Sequence, residues 1–302
     1  MKIAAIDIGG TAIKYCLHDD QVPFEKKAVY EAPTEALLGG EAVMAKVKGI
    51  LSSMGKVDCI AISTAGQVNP VSGCIIYATD NIPGYTGTQI KEMMEAFFQV
   101  PVFVENDVNA AALGECAFGA GKDYSDFLCL TYGTGIGGAI IINNQIYYGS
   151  SYSAAEMGHL ITHANGLPCT CGNQGCYEAY ASTTALVRSV KESSGLELNG
   201  RQIFDAINHN PAIEAAVTAW IREIMWGLVS LIHIFNPPCI ILGGGIMNEP
   251  FILHYIQQNI NHYLMKSYRQ VVVKQASLGN TAGLQGMVHL AQSQLAEKSI
   301  RY

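Results

Sequence analysis

The stretch KIAAIDIGGTAIKYCL, residues 2–17, decides the fold. An apolar run leads to Asp7, breaks at Gly9-Gly10-Thr11 and resumes as a second strand-like run, which reads as strand, glycine turn, strand. Residues 126–144, DFLCLTYGTGIGGAIIINN, repeat the arrangement around Gly133-Thr134-Gly135. The chain therefore reads as two α/β halves, each opening with a glycine hairpin. A turn without β-carbons lets backbone N–H groups approach phosphate oxygens closely, and two such hairpins facing one another across a cleft would grip a triphosphate from both sides.

Two other phosphate motifs fail. Gly133, Gly135 and Gly138 have the spacing G-x-G-x-x-G, but the β-rich AIIINN follows where a dinucleotide fold needs a helix. In GAGKDYS, residues 119–125, Asp123 stands where a P-loop needs serine or threonine. A third glycine cluster, CIILGGGIM at 239–247, follows an apolar strand and precedes a helical pattern, suiting contact with the rest of a nucleotide.

At 302 residues the chain is longer than one core usually grows, so two lobes are expected. A net charge of −7, with no run of lysine or arginine, disfavours nucleic acid and anionic membrane surfaces as partners. Asp7 and the glycine pair interrupt the place where a signal peptide needs its apolar stretch, and no later segment reads as a membrane span, so a cytoplasmic protein is expected. Thiols stay reduced in that compartment. The odd number of cysteines, nine, then points to buried thiols or metal ligands and not to a disulfide framework. Cys16, Cys59, Cys74, Cys129 and Cys239 sit in apolar strand-like runs and Cys116 on a helical pattern, so these six read as small core residues.

The other three fall with a histidine in the order His159-x9-Cys169-x-Cys171-x4-Cys176. Three thiolates and an imidazole match the tetrahedral preference of zinc, and the GNQG between the last two cysteines allows a sharp fold. Four protein ligands close the shell, so such a metal staples a loop and does not activate water. His163 lies near enough in sequence to stand in for His159. Glu156 and Glu178 flank the loop, placed to accept hydrogen bonds from hydroxyl groups.

Between the hairpins lies VPVFVENDVNAAALGECAFG, residues 100–119. A β-rich run ends at Glu105, Asn106-Asp107 follows, and an alanine-rich helix begins. Asp107 reads as either the N-cap of that helix or a general base at a strand end, and the sequence does not separate the two.

Taken in order, DIGGT (7–11), ENDVNAAALGE (105–115), TYGTGIGG (131–138), EMGH (156–159), CTCGNQGCYEAYAS (169–182) and GGGI (243–246) resemble the ROK family of sugar kinases and repressors. The resemblance spans nearly the whole chain and implies an actin-like, ribonuclease-H-like two-lobe ATPase fold, usually a homodimer. It implies ATP-dependent phosphorylation of a hexose or N-acetylhexosamine, most often at the C6 hydroxyl, as in glucokinases, N-acetylmannosamine kinases and β-glucoside kinases. By the same resemblance Asp107 is the general base, and Asn81, Asn106, Glu156, His159 and Glu178 bind the sugar with it. Asp7 helps position Mg2+, and Gly9, Gly10, Thr11, Lys14, Thr131, Gly133, Thr134 and Gly135 line the ATP phosphates, with Gly244 and Gly245 against the adenosine. His159 also ligates the structural Zn2+ with Cys169, Cys171 and Cys176, which is the reason to prefer it to His163.

Two departures stand on the sugar side: Ala65 replaces a common proline, and Tyr85 replaces a common tryptophan. Some β-glucoside kinases of the family lack the cysteine cluster, so its presence favours a free hexose or N-acetylhexosamine. The competing reading is a catalytically silent sugar-sensing regulator, but such proteins carry a helix-turn-helix before DIGGT and often erode the phosphate hairpins, which are intact here. A chaperone or filament ATPase has no use for the zinc loop. The expected organisation is a first lobe of residues 1–115 with 285–302 and a second of 116–284. Residues 212–235 read as a buried helix and 192–202 as a loop.

Overall fold

The computed structural model describes residues 1–24 and 27–300. The chain forms two compact units, the first from Met1–Lys122, Gln145–Ala154 and Asn280 onward, the second from Asp123–Asn144 and Ala155–Gly279.

In the first unit, β1 (Lys2–Ile8) and β2 (Ala12–Asp19) pair antiparallel across the glycine turn, with Asp7 opposite Lys14. Three further strands, β3 (Tyr30–Pro33), β4 (Cys59–Thr64) and β7 (Val102–Asn106), complete a sheet of order β3-β2-β1-β4-β7, and β5 (Gln67–Asn69) pairs with β6 (Cys74–Tyr77). Helices cover both faces, which is why β1 is apolar at nearly every position. Ala4, Ile6 and Ile8 join one core with Val43, Met44 and Val47 of α1 (Gly40–Ser53) and Ile90 and Met94 of α2 (Ile90–Phe98). Ile3 and Ala5 face the other, with Ala110 of α3 (Asp107–Phe118) and Leu284, Met287, Val288 and Ala291 of α9 (Ala282–Ile300).

Helices α3 and α9 cross at glycines. A β-carbon on Gly286 would stand 1.8 Å from the Ala110 carbonyl oxygen, and one on Gly114 2.3 Å from that of Ala282. Both obstacles are backbone, so neither can swing aside. Gly286→Ala should therefore cost about 1–3 kcal/mol of stability from overpacking, more than the gain of up to about 1 kcal/mol in helix propensity returns. A thermal melt checks this; a midpoint equal to or above the parent's would contradict the close crossing.

The second unit repeats the plan. β8 (Phe127–Tyr132) and β9 (Ile136–Ile142) pair antiparallel, and after the two-residue β10 (Gln145–Ile146), which groups with the first unit, β11 (Cys239–Gly243) and β12 (Val272–Gln275) run parallel to β8, in the order β9-β8-β11-β12. Its helices are α4 (Glu178–Ala181), α5 (Thr183–Ser194), α6 (Gly200–Ala206), α7 (Pro211–Phe235) and α8 (Pro250–Asn259). Gly195–Asn199 is all that remains of the expected loop at 192–202, because α5 continues to Ser194. Helix α7 is long and apolar enough to span a bilayer by length and composition, contrary to the reading that no segment is. Its Ile213, Val217, Trp220, Ile224, Leu228 and Leu231 are buried in the second core.

None of the nine cysteines is in a disulfide. Cys16, Cys59, Cys129 and Cys239 are buried as expected, whereas Cys74 and Cys116 are only half-buried.

Candidate active site

Asp107 is not the helix cap. Asn106 takes that position with extended backbone, and its Oδ1 accepts from the N–H groups of Val108 at 2.9 Å and Asn109 at 3.0 Å. Asp107 follows as the first helical residue. The Asn106 amide donates to the Gly66 carbonyl and to Asp107 Oδ1, each at 3.0 Å, and Val108 N–H also reaches Asp107 Oδ1 at 2.9 Å. Loss of solvation lifts the half-buried Asp107 carboxyl to about 7, the negative Asp7 adds to the rise, and the donors from Val108 and Asn106 pull the other way.

Asp7 itself is raised by burial, against a 2.8 Å hydrogen bond from Ser63 and the charge of Lys14. Asp7 thus raises Asp107 while burial raises Asp7, and a hard divalent cation, for which carboxylates are the right donor type, would relieve both. The first glycine turn is closed by Gly9 N–H on the Ala12 carbonyl at 3.1 Å and braced by Thr34 Oγ1 on the Gly9 carbonyl at 2.6 Å. Gly10 and Thr11 are left exposed at its tip. On the sugar side Asn81 is exposed, while Tyr85 is buried with its hydroxyl 2.8 Å from Thr64 Oγ1. Thr64 pairs in register with Asn106.

In the second unit, Gly133 N–H donates to the Gly135 carbonyl at 2.9 Å. The start of α5 rests on this turn, with Thr183 N–H on the Gly133 carbonyl at 2.9 Å and Thr184 Oγ1 on that of Thr134 at 2.8 Å. Thr131 pairs with Gly243 across the sheet. Gly244, at φ 99°, passes so close to the Tyr132 carbonyl that a β-carbon would stand 2.1 Å from it, so the third glycine cluster lies against the second hairpin, with Gly244 and Gly245 exposed.

The ligand atoms of His159, Cys169, Cys171 and Cys176 all lie within 4.8 Å of one another. Cys169 Sγ is 3.6 Å from His159 Nδ1, and Cys171 Sγ is 3.6 Å from Cys176 Sγ. Zn–S bonds of about 2.3 Å and Zn–N bonds of about 2.0–2.1 Å give tetrahedral edges of roughly 3.6–3.8 Å, so the four residues fit that ion. Gly172 and Gly175 turn the loop at φ 90° and 79°. The Asn173 N–H holds the Cys171 thiol below the usual thiol range. His163 is elsewhere, stacked on Tyr180 at 3.9 Å and facing Glu223 at 3.6 Å. Glu178 Oε2 accepts from Ile136 N–H at 3.3 Å, and its Oε1 lies 3.9 Å from His159 Nδ1, so this carboxylate joins the cysteine loop to the glycine hairpin. The exposed Glu156 stands 3.9 Å from His159 Nε2.

Residues 3–294 match the ROK family. The chain belongs to the ROK family. It is 34% identical over 297 residues to a β-glucoside kinase of Listeria monocytogenes, covering 96% of this chain and 97% of that one. It is 35% identical over 309 residues to a glucokinase of Streptomyces coelicolor, covering 95% and 96%. Among solved structures, a ROK family glucokinase from Streptomyces griseus in complex with glucose and AMPPNP superposes with a TM-score of 0.84 at 32% identity, covering 97% of this chain and all of the other. The fold is accordingly the actin-like ATPase fold of ROK proteins.

Some of the site escaped the sequence reading. Glu105 is fully buried beside Asp107, where its Oε1 accepts from Asn106 N–H at 2.8 Å and Asn109 Nδ2 at 3.0 Å, and its Oε2 from the Tyr148 hydroxyl at 2.6 Å. Its place next to Asn106-Asp107 was a signal; Tyr148, 43 residues on, gave none.

Proposed function

We infer that this ROK protein is an ATP-dependent sugar kinase, passing the γ-phosphate of Mg-ATP to a hydroxyl of a hexose or N-acetylhexosamine. The observation that carries the reading is the state of Asp107. Asn106 has taken over the cap, the hydrogen bonds from Asn106 and Val108 both fall on Oδ1, and Oδ2 is left to take a proton. A carboxyl lifted to about 7 ionises close to working pH, where a general base is most effective. In the proposed reaction Asp107 removes the hydroxyl proton as the sugar oxygen attacks the γ-phosphorus, the bond to the β-phosphate oxygen breaks, and ADP leaves. The protein's remaining task is positioning and charge neutralisation. Asp7 faces the Mg2+ side and the two glycine turns the phosphates, with Lys14 and Thr131 on the strands beside them. Gly244 and Gly245 serve the adenosine.

Asn81, Asn106, Glu156, His159 and Glu178 are the proposed sugar contacts. Zn2+, held by His159, Cys169, Cys171 and Cys176, would contribute structure only, since its four protein ligands leave no open position. Nδ1 of His159 faces the thiols, which leaves Nε2 for the sugar. Glucose, N-acetylmannosamine and β-glucosides are the candidate acceptors, with C6 as the attacking position, and a cytoplasmic homodimer is the proposed state.

The deciding experiment is ADP release from Mg-ATP across hexoses, N-acetylhexosamines and β-glucosides, with a sugar-free control. Stimulation by one sugar is expected. Silence across the panel with sugar binding intact would favour a regulator.

A further inference from the structure

Glu105 is a carboxylate with no exposed surface, and burial pushes it above the usual carboxylate range. A buried ion is an expensive way to fill a core position, and an apolar residue of the same volume would do so at lower cost. Two of its three donors belong to the first turn of α3. Asn106 N–H is the backbone donor of the cap residue itself. Asn109 is the residue whose N–H the cap accepts, and its side chain returns to Glu105. Glu105 and Asn106 thus both bind the turn 106–109 that carries Asp107, Glu105 at Asn106 N–H and the Asn109 side chain and Asn106 at the Val108 and Asn109 N–H groups.

The third donor comes from far along the chain. Residues 145–154 group with the first unit although the chain on either side of them belongs to the second. This segment folds on itself, with Ala154 N–H on the Tyr148 carbonyl at 3.2 Å and the Tyr148 and Tyr152 rings edge to face at 6.2 Å. It is tied down twice, by Tyr148 on Glu105 and by Ser153 Oγ on Gln67 Oε1 at 2.9 Å. Burial and the adjoining carboxylate raise the phenol above its ordinary range, so Tyr148 remains the donor.

We propose that Glu105 and Tyr148 are positioning residues for phosphoryl transfer, holding the first turn of α3, and through Asn106 the Asp107 carboxylate, in the orientation from which it takes the sugar proton. The proposal rests on Asp107 being the base. It assigns the 145–154 segment a part in turnover that its distance in sequence from α3 conceals.

The test is steady-state kinetics of Tyr148→Phe, Glu105→Gln and Glu105→Ala beside Asp107→Asn, using the sugar that stimulates the parent. Misorientation of a catalytic group lowers turnover without weakening ground-state binding, so Tyr148→Phe should lose roughly tenfold in kcat, with KM for sugar and Mg-ATP within about twofold of the parent. Glu105→Gln keeps an acceptor for Asn106 N–H and should recover most of the kcat that Glu105→Ala loses. If Glu105→Ala does not fold, Tyr148→Phe decides alone, since it removes a single oxygen. A Tyr148→Phe protein with a lowered melting midpoint but parental kcat per folded molecule would reduce the latch to a structural one and overturn the proposal, while an inactive Asp107→Asn left the base in place. An active Asp107→Asn would remove the base, and the proposal with it.

Discussion

Asp107→Asn removes sugar-dependent ADP formation, by roughly 10²–10⁴-fold, while sugar binding stays measurable. The substitution keeps the shape of the side chain and an oxygen to accept from Val108 and Asn106, and it takes away the ability to accept a proton. The variant also carries an internal control for folding. Because the folded carboxyl is lifted from 3.8 to about 7, the unfolded chain ionises first as pH rises. Between about pH 4 and 7 this group therefore costs stability progressively, and the full cost is present above 7. A neutral amide escapes that cost, so at pH 8 the variant should melt no lower than the parent. In the parent, kcat/KM should fall on the acid side of about pH 7, tenfold per unit, as the base is protonated. A flat profile from pH 5 to 8, or an Asn variant that turns over normally, would assign the proton to another group.

Loss of the cysteine-loop metal should be nearly as damaging, through binding. Cys171→Ser should lower bound zinc from about one per chain, measured by elemental analysis. The loop it fixes carries His159 and ends at Glu178, whose carboxylate also holds Ile136 N–H at the second hairpin. On the proposed roles, release of the loop should cost sugar affinity directly and disturb the second glycine turn. Hydrogen bonds to charged groups contribute about 1.5–3 kcal/mol each, so sugar KM should rise roughly 10–100-fold. Cys74→Ser, outside the cluster, should keep both zinc and KM. Parental zinc content in Cys171→Ser, or an unchanged KM in protein stripped of metal, would detach the loop from sugar binding.

Most of the fold could be read from the chain because its signals are local. Each hairpin is contained in fewer than 20 residues, and the near-continuous apolar runs of β1 and β8 mark strands buried on both faces. The cysteine cluster was equally legible, since soft ligands at short spacing leave few alternatives. The cap of α3 was not, because Asn and Asp cap helices about equally well and the choice lies in side-chain geometry. Nor was Tyr148, because nothing in IYYGSSYSA announces a partner 43 residues upstream. Tyr85 stands out in sequence as a departure, but its hydrogen bond to Thr64 joins residues 21 apart and leaves no local signal.

The closing helix of the first unit, α9, has a consequence for how the protein is made. One of that unit's two cores needs Leu284, Met287, Val288 and Ala291, so Ile3, Ala5, Cys59 and Phe103 have only the partial cover of earlier residues such as Ala110 when they leave the ribosome. The second unit draws on no residue beyond Gly279 and can finish first. At about 5–20 residues per second, an interval on the order of ten to forty seconds separates synthesis of Ala110 from that of Ala291. Throughout that time the nascent N-terminal sheet presents a partly uncovered apolar face, the kind of surface on which chaperones act, and a ribosome stalled short of α9 would release a chain in which one core of the first unit stays open.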